Sequence, residues 1–194
     1  MVSVPTMERV RDLALVLLIA WIVVDNFVVL RRGSRTAKGA DRASVLLIFL
    51  TNGLGIVLSA NLAYARVGSF PMSLVGLQLG GLVLMLAGIA FRSLAIHQLG
   101  RYHMPNVATY DDHALVESGL YRRIRHPSYL GAILTFLGYG LALGSWLSAC
   151  VVLGIILVGY LYRIHVEEKA LRATLGARYV EYARRTRRLI PWIY

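Results

Sequence analysis

The chain has 194 residues, 57% of them hydrophobic, with 21 Lys and Arg against 10 Asp and Glu, for a net charge of +11. Soluble domains run nearer about 45–50% apolar, and here the excess is gathered into blocks of roughly 18 residues, enough to cross ~30 Å of hydrocarbon as a helix. A soluble fold is thereby excluded. So is nucleic-acid binding, because removing the apolar blocks leaves no free basic domain, and loops beside anionic lipid collect Lys and Arg for their own reasons.

The first apolar run, residues 13–30, is long enough to span and lacks a small-residue cleavage site, so it reads as a retained helix and not a signal peptide. Asp25 and Asn26 interrupt it near its end. An acid at that depth must face protein or water, and a helix-packing or interfacial role is expected, with substrate contact the lesser reading. Residues 31–42 form a polar loop with five basic residues, one acid and two glycines. Residues 44–64 make a second span, whose Asn52, Gly53, Gly55, Ser59 and Asn61 favour helix contact over lipid. After a turn at 66–71, residues 73–96 make a third. Gly76, Gly80, Gly81 and Gly88 offer small faces there, and Gly76 and Gly80 have the small-xxx-small spacing of a tight crossing.

Residues 97–127 are polar. Two apolar runs follow, 128–143 and 146–162, broken at Gly144-Ser145, and they read as a helical hairpin whose first arm is short for a full span. Cys150, the single cysteine, lies in the second arm; it excludes an intrachain disulfide and is expected to be a small buried hydrophobe. From Arg163 the character changes. Leu171, Leu175, Tyr179 and Tyr182 mark one face of an amphipathic helix with charge on the other, a break is expected near Gly176, and Pro191 ends the helical potential.

The whole predicts an all-α membrane bundle of about five transmembrane helices, with a C-terminal amphipathic helix. Five spans put the loops 31–42 and 97–127 and the tail from Arg163 on one side. The positive-inside rule makes that side cytosolic and the N-terminus non-cytosolic. Richness in Ala, Gly and Arg suits a GC-rich bacterial genome, hence an inner membrane. Two units are expected: residues 1–96 as three N-terminal helices, and 97–194 as the part that carries chemistry.

Two polar clusters meet at the mouth of the hairpin. One runs from His113 to Tyr121 and on through Arg125, His126 and Tyr129; the other is Arg163 to Glu168. Pro127 suits a first helical turn, so Arg125 and His126 precede a helix start. An antiparallel hairpin brings that start to Arg163, Glu167 and Glu168 at the end of its partner. Arg163 and Glu167 could be no more than a surface pair four residues apart. Adjacent acids beside apolar surface need cationic partners, however.

The stretch GLYRRIRHPSYLG, then about thirty apolar residues, then RIHVEEKALRATLGARYVEYARRTRRLIP, resembles the isoprenylcysteine carboxyl methyltransferase family, whose pattern phospholipid N-methyltransferases share. The resemblance covers roughly residues 92–191. It rests on G-x-Y-x-x-x-R-H-P-x-Y-x-G followed by E-E-x-x-L-x-x-x-x-G-x-x-Y-x-x-Y. It implies a membrane methyltransferase using S-adenosylmethionine, without the G-x-G-x-x-G of the soluble Rossmann enzymes. Carried over by position, His113, Leu115, Val116, Gly119, Tyr121, His126, Tyr129 and Glu168 would surround the cofactor in a cytosolic pocket. Arg125, Arg163 and Glu167 would form the catalytic set: the arginines for a substrate or cofactor carboxylate, Glu167 for the cofactor ammonium or a proton. The chain departs at Leu120, where the family usually has Pro, which should loosen the turn, and in the C-terminal tail. The implied acceptor is a lipophilic small molecule or lipid, methylated on a carboxylate. The alternatives are amine methylation of a phospholipid and a non-catalytic membrane scaffold. No metal is implied. A transporter is disfavoured because the polar residues gather at one mouth and not at the midplane.

Overall fold

The computed structural model describes residues 4–32, 42–71, 74–100 and 115–190. Among them the chain is helical throughout: α1 (Val4–Arg32), α2 (Arg42–Tyr64), α3 (Val75–Leu99), α4 (Pro127–Ala142), α5 (Trp146–Leu175) and α6 (Ala177–Arg185), with one 3-10 turn at Gly119–Arg122 before α4. Helices α2, α3 and α5 are long and apolar enough to cross a membrane, and α4 is a shorter apolar helix. The fifth apolar run lies in α1, whose 29 residues rise about 43 Å. Val16, Val23, Val83, Phe49 and Val158 stand exposed on the outside of the bundle. In water such a surface would be a liability; in a bilayer it is the lipid face. The protein is a multi-pass integral membrane protein.

The tightest crossing is α3 on α4. A methyl group added to Gly81 would fall 2.6 Å from the backbone nitrogen of Ala142, and one on Gly88 2.5 Å from that of Thr135. Gly131 and Gly138 on α4 press equally against Arg92 and Met85. The pair expected to pack, Gly76 and Gly80, has nothing within 4 Å. The reason is helical phase: the buried stripe of α3 runs Gln78, Gly81, Met85, Gly88, Arg92 and Ala95, and Gly76 and Gly80 face away from it. Cys150 is likewise exposed, because it shares the outer stripe of α5 with Gly154, Val158 and Leu161 while Ala149, Val152 and Ile156 point inward. It is not the buried residue expected.

The two ends of the bundle are closed by different groups. At one end Phe70 N donates to the Gly144 carbonyl (2.7 Å) and Trp146 N to that of Gly68 (3.1 Å), while the start of α1 joins the same end through Arg66–Glu8 (3.2 Å) and Tyr64–Asp12 (2.8 Å). All the clusters of the hairpin mouth lie at the other. Helix α5 does not stop where charge begins. It continues through Arg163 to Leu175 for 30 residues, about 45 Å, so its last turns extend beyond the apolar run. Gly176, at φ +53°, breaks it as expected, and α6 buries Tyr179 and Tyr182. Pro191 lies outside the described residues.

Candidate functional site

The mouth is built by pinning the loop before α4 between α3 and α6. Gly119 has φ +59°, and a side chain there would strike Gln98. The Leu120 N–H donates to Gln98 Oε1 at 2.8 Å. A proline at this position would lack that donor, so Leu120 ties the turn down and does not loosen it. Tyr121 is buried; its hydroxyl donates to the Ala95 carbonyl (3.3 Å), and its own carbonyl accepts from the Tyr182 hydroxyl (2.7 Å). Burial pushes the phenols of Tyr121, Tyr179 and Tyr182 well above their ordinary range, so all three stay protonated; the Tyr179 hydroxyl is buried without a hydrogen-bond partner among the described residues. Arg185 of α6 pairs with Glu117. Leu115 and Val116 lead into this turn half-buried. His113 lies outside the described residues.

The segment after α6 then threads beside residues 123–126. Arg125 N donates to the Arg187 carbonyl (2.7 Å), Arg187 N to that of Arg123 (3.0 Å), and His126 N to that of Arg188 (3.0 Å). The Arg125 guanidinium reaches Glu168 (2.8 Å) and the carbonyls of Ala183 (2.9 Å) and Thr186 (2.6 Å). Glu168, 3% exposed, also takes Arg188 at 3.0 Å and has Arg172 at 3.8 Å. One buried carboxylate among three guanidiniums is fully compensated. Arg125 and Glu168 are therefore committed to each other and to the tail, a clamp that holds α5, α6 and the start of α4 together.

One helical turn toward the membrane lies a second group. The Tyr129 hydroxyl donates to Glu167 (2.6 Å) and accepts from Arg163 Nε (3.3 Å), and Arg163 Nη1 donates to Ser44 Oγ on α2 (2.6 Å). Arg163 is buried, so it is no surface pair. The His126 ring stacks on Tyr129 at 5.6 Å. Its Nε2 is buried without a hydrogen-bond partner among the described residues, 3.5 Å from Glu168 but not in bonding geometry. Glu167 has no ion pair with an arginine among the described residues. These are the groups the clamp leaves unused.

Below this group opens a cavity of about 270 Å³. Its walls are Trp21 and Ile22 of α1 and Ile48, Phe49, Gly53 and Ile56 of α2. Its polar lining is Asp25, Asn26, Asn52, Arg92, Tyr129, Tyr160 and Arg163, and Asn52 Oδ1 is buried without a hydrogen-bond partner among the described residues. Asp25 takes Arg92 in a two-pronged pair, Nε to Oδ1 at 2.8 Å and Nη2 to Oδ2 at 2.7 Å, and Arg92 Nη1 donates to the Ser128 carbonyl at 3.1 Å. Of the expected site residues, Arg163 and Tyr129 line the cavity, and Glu167 and His126 touch Tyr129 from behind. Arg125, Glu168, Gly119 and Tyr121 form the frame. Sequence reasoning missed Arg92, Gln98 and Arg188. Arg92 carried a usable signal: a lone cation in one apolar run and a lone acid in another must find each other.

A sequence model of the isoprenylcysteine carboxyl methyltransferase (ICMT) family matches residues 81–173. Among curated proteins, the chain is similar to a protein-S-isoprenylcysteine O-methyltransferase of Saccharomyces cerevisiae, 35% identical over 115 residues, covering 58% of this chain and 48% of that protein. It is similar to one of Schizosaccharomyces pombe at 31% over 157 residues, covering 76% of this chain and 66% of that protein. The chain thus spans about half the length of the Saccharomyces relative. Among solved structures it resembles a eukaryotic intramembrane Ras methyltransferase ICMT, with TM-score 0.53 and 25% identity over 78% of this chain and 50% of that one.

Proposed function

The chain belongs to the isoprenylcysteine carboxyl methyltransferase family, and from that premise we propose that it is a membrane methyltransferase that uses S-adenosylmethionine to esterify the carboxylate of a lipophilic acceptor. The observation that carries this reading is the cavity itself, an apolar cleft between α1 and α2 whose floor bears two guanidiniums and one carboxylate. A single-chain lipid with an anionic head matches it in both shape and charge. An amine head would meet Arg163 with no free acid opposite, because Asp25 is already bound by Arg92.

The residues at the mouth fit the methyl donor. Glu167 offers an acid without an arginine partner for an ammonium group, and the buried, unpartnered His126 Nε2 offers a hydrogen-bonding site. The loop 115–121, set by Gly119 and Tyr121, would close over the adenosine side. When bound, the donor supplies a methyl group on a sulfonium, poised for in-line displacement. This chain's own residues do the rest. A carboxylate is ionised at neutral pH and needs no general base; it needs alignment and a countercharge. Arg163, braced by Ser44 and Tyr129, supplies both. Tyr129 stands between Glu167 and Arg163, so it couples the donor side to the acceptor side. The positive-inside rule favours a cytosolic mouth, given the arginines around it; the dissolved donor would then enter from that side and the acceptor sideways from lipid.

The yeast relatives are named for methylating S-isoprenylcysteine, so a prenylcysteine-type thioether acid is the first acceptor to try. Purified protein in lipid nanodiscs, given methyl-labelled donor and that acid, should form a base-labile methyl ester, and Arg163→Gln should abolish it. Label appearing in an ethanolamine lipid would replace this reading with amine methylation.

A further inference from the structure

The turn before α4 is held from outside at several points. Glu117 is taken by Arg185 of α6, the Tyr121 carbonyl accepts from the Tyr182 hydroxyl at 2.7 Å, and the Leu120 N–H donates to Gln98 Oε1 at 2.8 Å. The first two fix the ends of the stretch 117–121. The third fixes its middle, and the middle is where the chain is most pliable. Gly119 has φ +59°, and glycine takes positive and negative φ about equally well. Unrestrained, the turn can swing at that joint. Gln98, half-buried in the last turn of α3, restrains it twice over. Its amide oxygen takes the N–H that follows the glycine, and its amide packs on the bare face of Gly119, where an added methyl group would fall 2.7 Å from Gln98 Cδ.

Resting on the donor-binding reading above, we propose that Gln98 is the positioning residue of the donor loop: by holding the Leu120 N–H it keeps the turn 117–121 in the conformation that receives S-adenosylmethionine. Gln98 acts through Leu120 and need touch neither donor nor acceptor. A turn free at Gly119 spends part of its time in other conformations, and donor affinity falls by the fraction lost. The methyl step itself is spared, because Arg163 and Tyr129 are held by other contacts. A merely structural tie predicts lower thermal stability with donor affinity unchanged. Proline offers an independent handle on the same joint. Leu120 lies in the first turn of the 3-10 helix Gly119–Arg122, whose φ is close to the value a proline ring imposes. Proline there would stiffen the turn but remove the N–H that Gln98 accepts. It should therefore help only where Gln98 no longer acts.

The full chain in nanodiscs is titrated with S-adenosylhomocysteine by calorimetry. Gln98→Met should raise Kd about two- to fivefold and the donor KM with it, leaving the acceptor KM and the kcat at saturating donor within about twofold of the parent. Gln98→Glu, which keeps an acceptor oxygen, should stay near the parent. Leu120→Pro should tighten binding when added to Gln98→Met and should not tighten it in the parent. An unchanged Kd in Gln98→Met overturns the proposal. So does Gln98→Glu binding as weakly as Gln98→Met, or an equal gain from Leu120→Pro in both backgrounds. Hydrogen exchange in the parent supplies a check that needs no variant: S-adenosylhomocysteine should slow exchange across 117–122, and unchanged exchange there overturns the proposal even if Gln98→Met does not fold. If the parent has no affinity for S-adenosylhomocysteine, the donor reading itself falls; if it binds and the Gln98 variants bind equally well, only the role of Gln98 falls.

Discussion

Helices α3, α4 and α5 and helices α1 and α2 come from equally apolar stretches, yet they are held together differently. In the first group backbone meets backbone, as at Gly88 on Thr135, and the exit from the membrane is locked by Glu168 among its arginines. In the second group α2 leans on α5 and α1 on α3 and α4, and a cavity lies between α1 and α2. The family match at residues 81–173 covers most of α3, all of α4 and nearly all of α5, and leaves out α1 and α2. On the function proposed above, the first group would hold the donor, and α1 and α2, each packed on the first group and hardly on one another, would fit the acceptor between them. Substitutions in the first should act on folding, and those in the second on acceptor choice.

The largest test of that division is Glu168→Gln. It leaves Arg125 and Arg188 without their countercharge in a buried place, and should lower stability by about 3–5 kcal/mol; thermal unfolding in detergent reads it, and binding of S-adenosylhomocysteine should fall with it. Next is Gly88→Leu, which forces α3 from α4 and should cost about 3 kcal/mol. If it were tolerated, the close crossing would not be what holds the unit together. A milder probe is Tyr182→Phe, which removes the hydrogen bond to the Tyr121 carbonyl and should cost about 1 kcal/mol. It also carries a pH signature. A phenol whose pKa is raised by folding adds stability below its unfolded value of 10.0, and that stability drains away as pH climbs past it. Stability should accordingly be level to about pH 9 and fall above 10, less steeply in Tyr182→Phe. The smallest effect on stability belongs to Gly53→Leu in the cavity wall. Nothing lies within 4 Å of Gly53, so unfolding should shift by less than about 0.5 kcal/mol while ester formation on a long-chain thioether acid falls. A large loss of stability there would erase the contrast between the two groups.

Most of this architecture could be read from the residues alone. Apolar blocks fix the number and place of helices, because lipid leaves the backbone no alternative partner. The convergence of Arg125, His126 and Tyr129 with Arg163 to Glu168 followed from the hairpin, since Pro127 marks one helix start and Gly144 its turn. What escaped was phase and pairing. Spacing alone could not tell Gly76 and Gly80 from Gly81 and Gly88, because glycines at each of those positions satisfy a small-residue pattern and only the partner helix selects between them. Arg163 resembled the end of a span, yet the charged residues after it are good helix formers, and α5 runs on. Arg125 and Arg163 looked equivalent as cations at one mouth. The tail segment, which has no periodic signal of its own, takes Arg125 and leaves Arg163 to the cavity.

On the function proposed above, a carboxylate is methylated at the floor of the cleft between α1 and α2. The most direct measurement is the chemical fate of a labelled methyl group given to the nanodisc protein with an equal mixture of a long-chain thioether acid and the matching amine. The label should appear as a base-labile ester of the acid, depend on Arg163, and be absent from the amine. Stable label on the amine, or ester formation that survives Arg163→Gln unchanged, would contradict it.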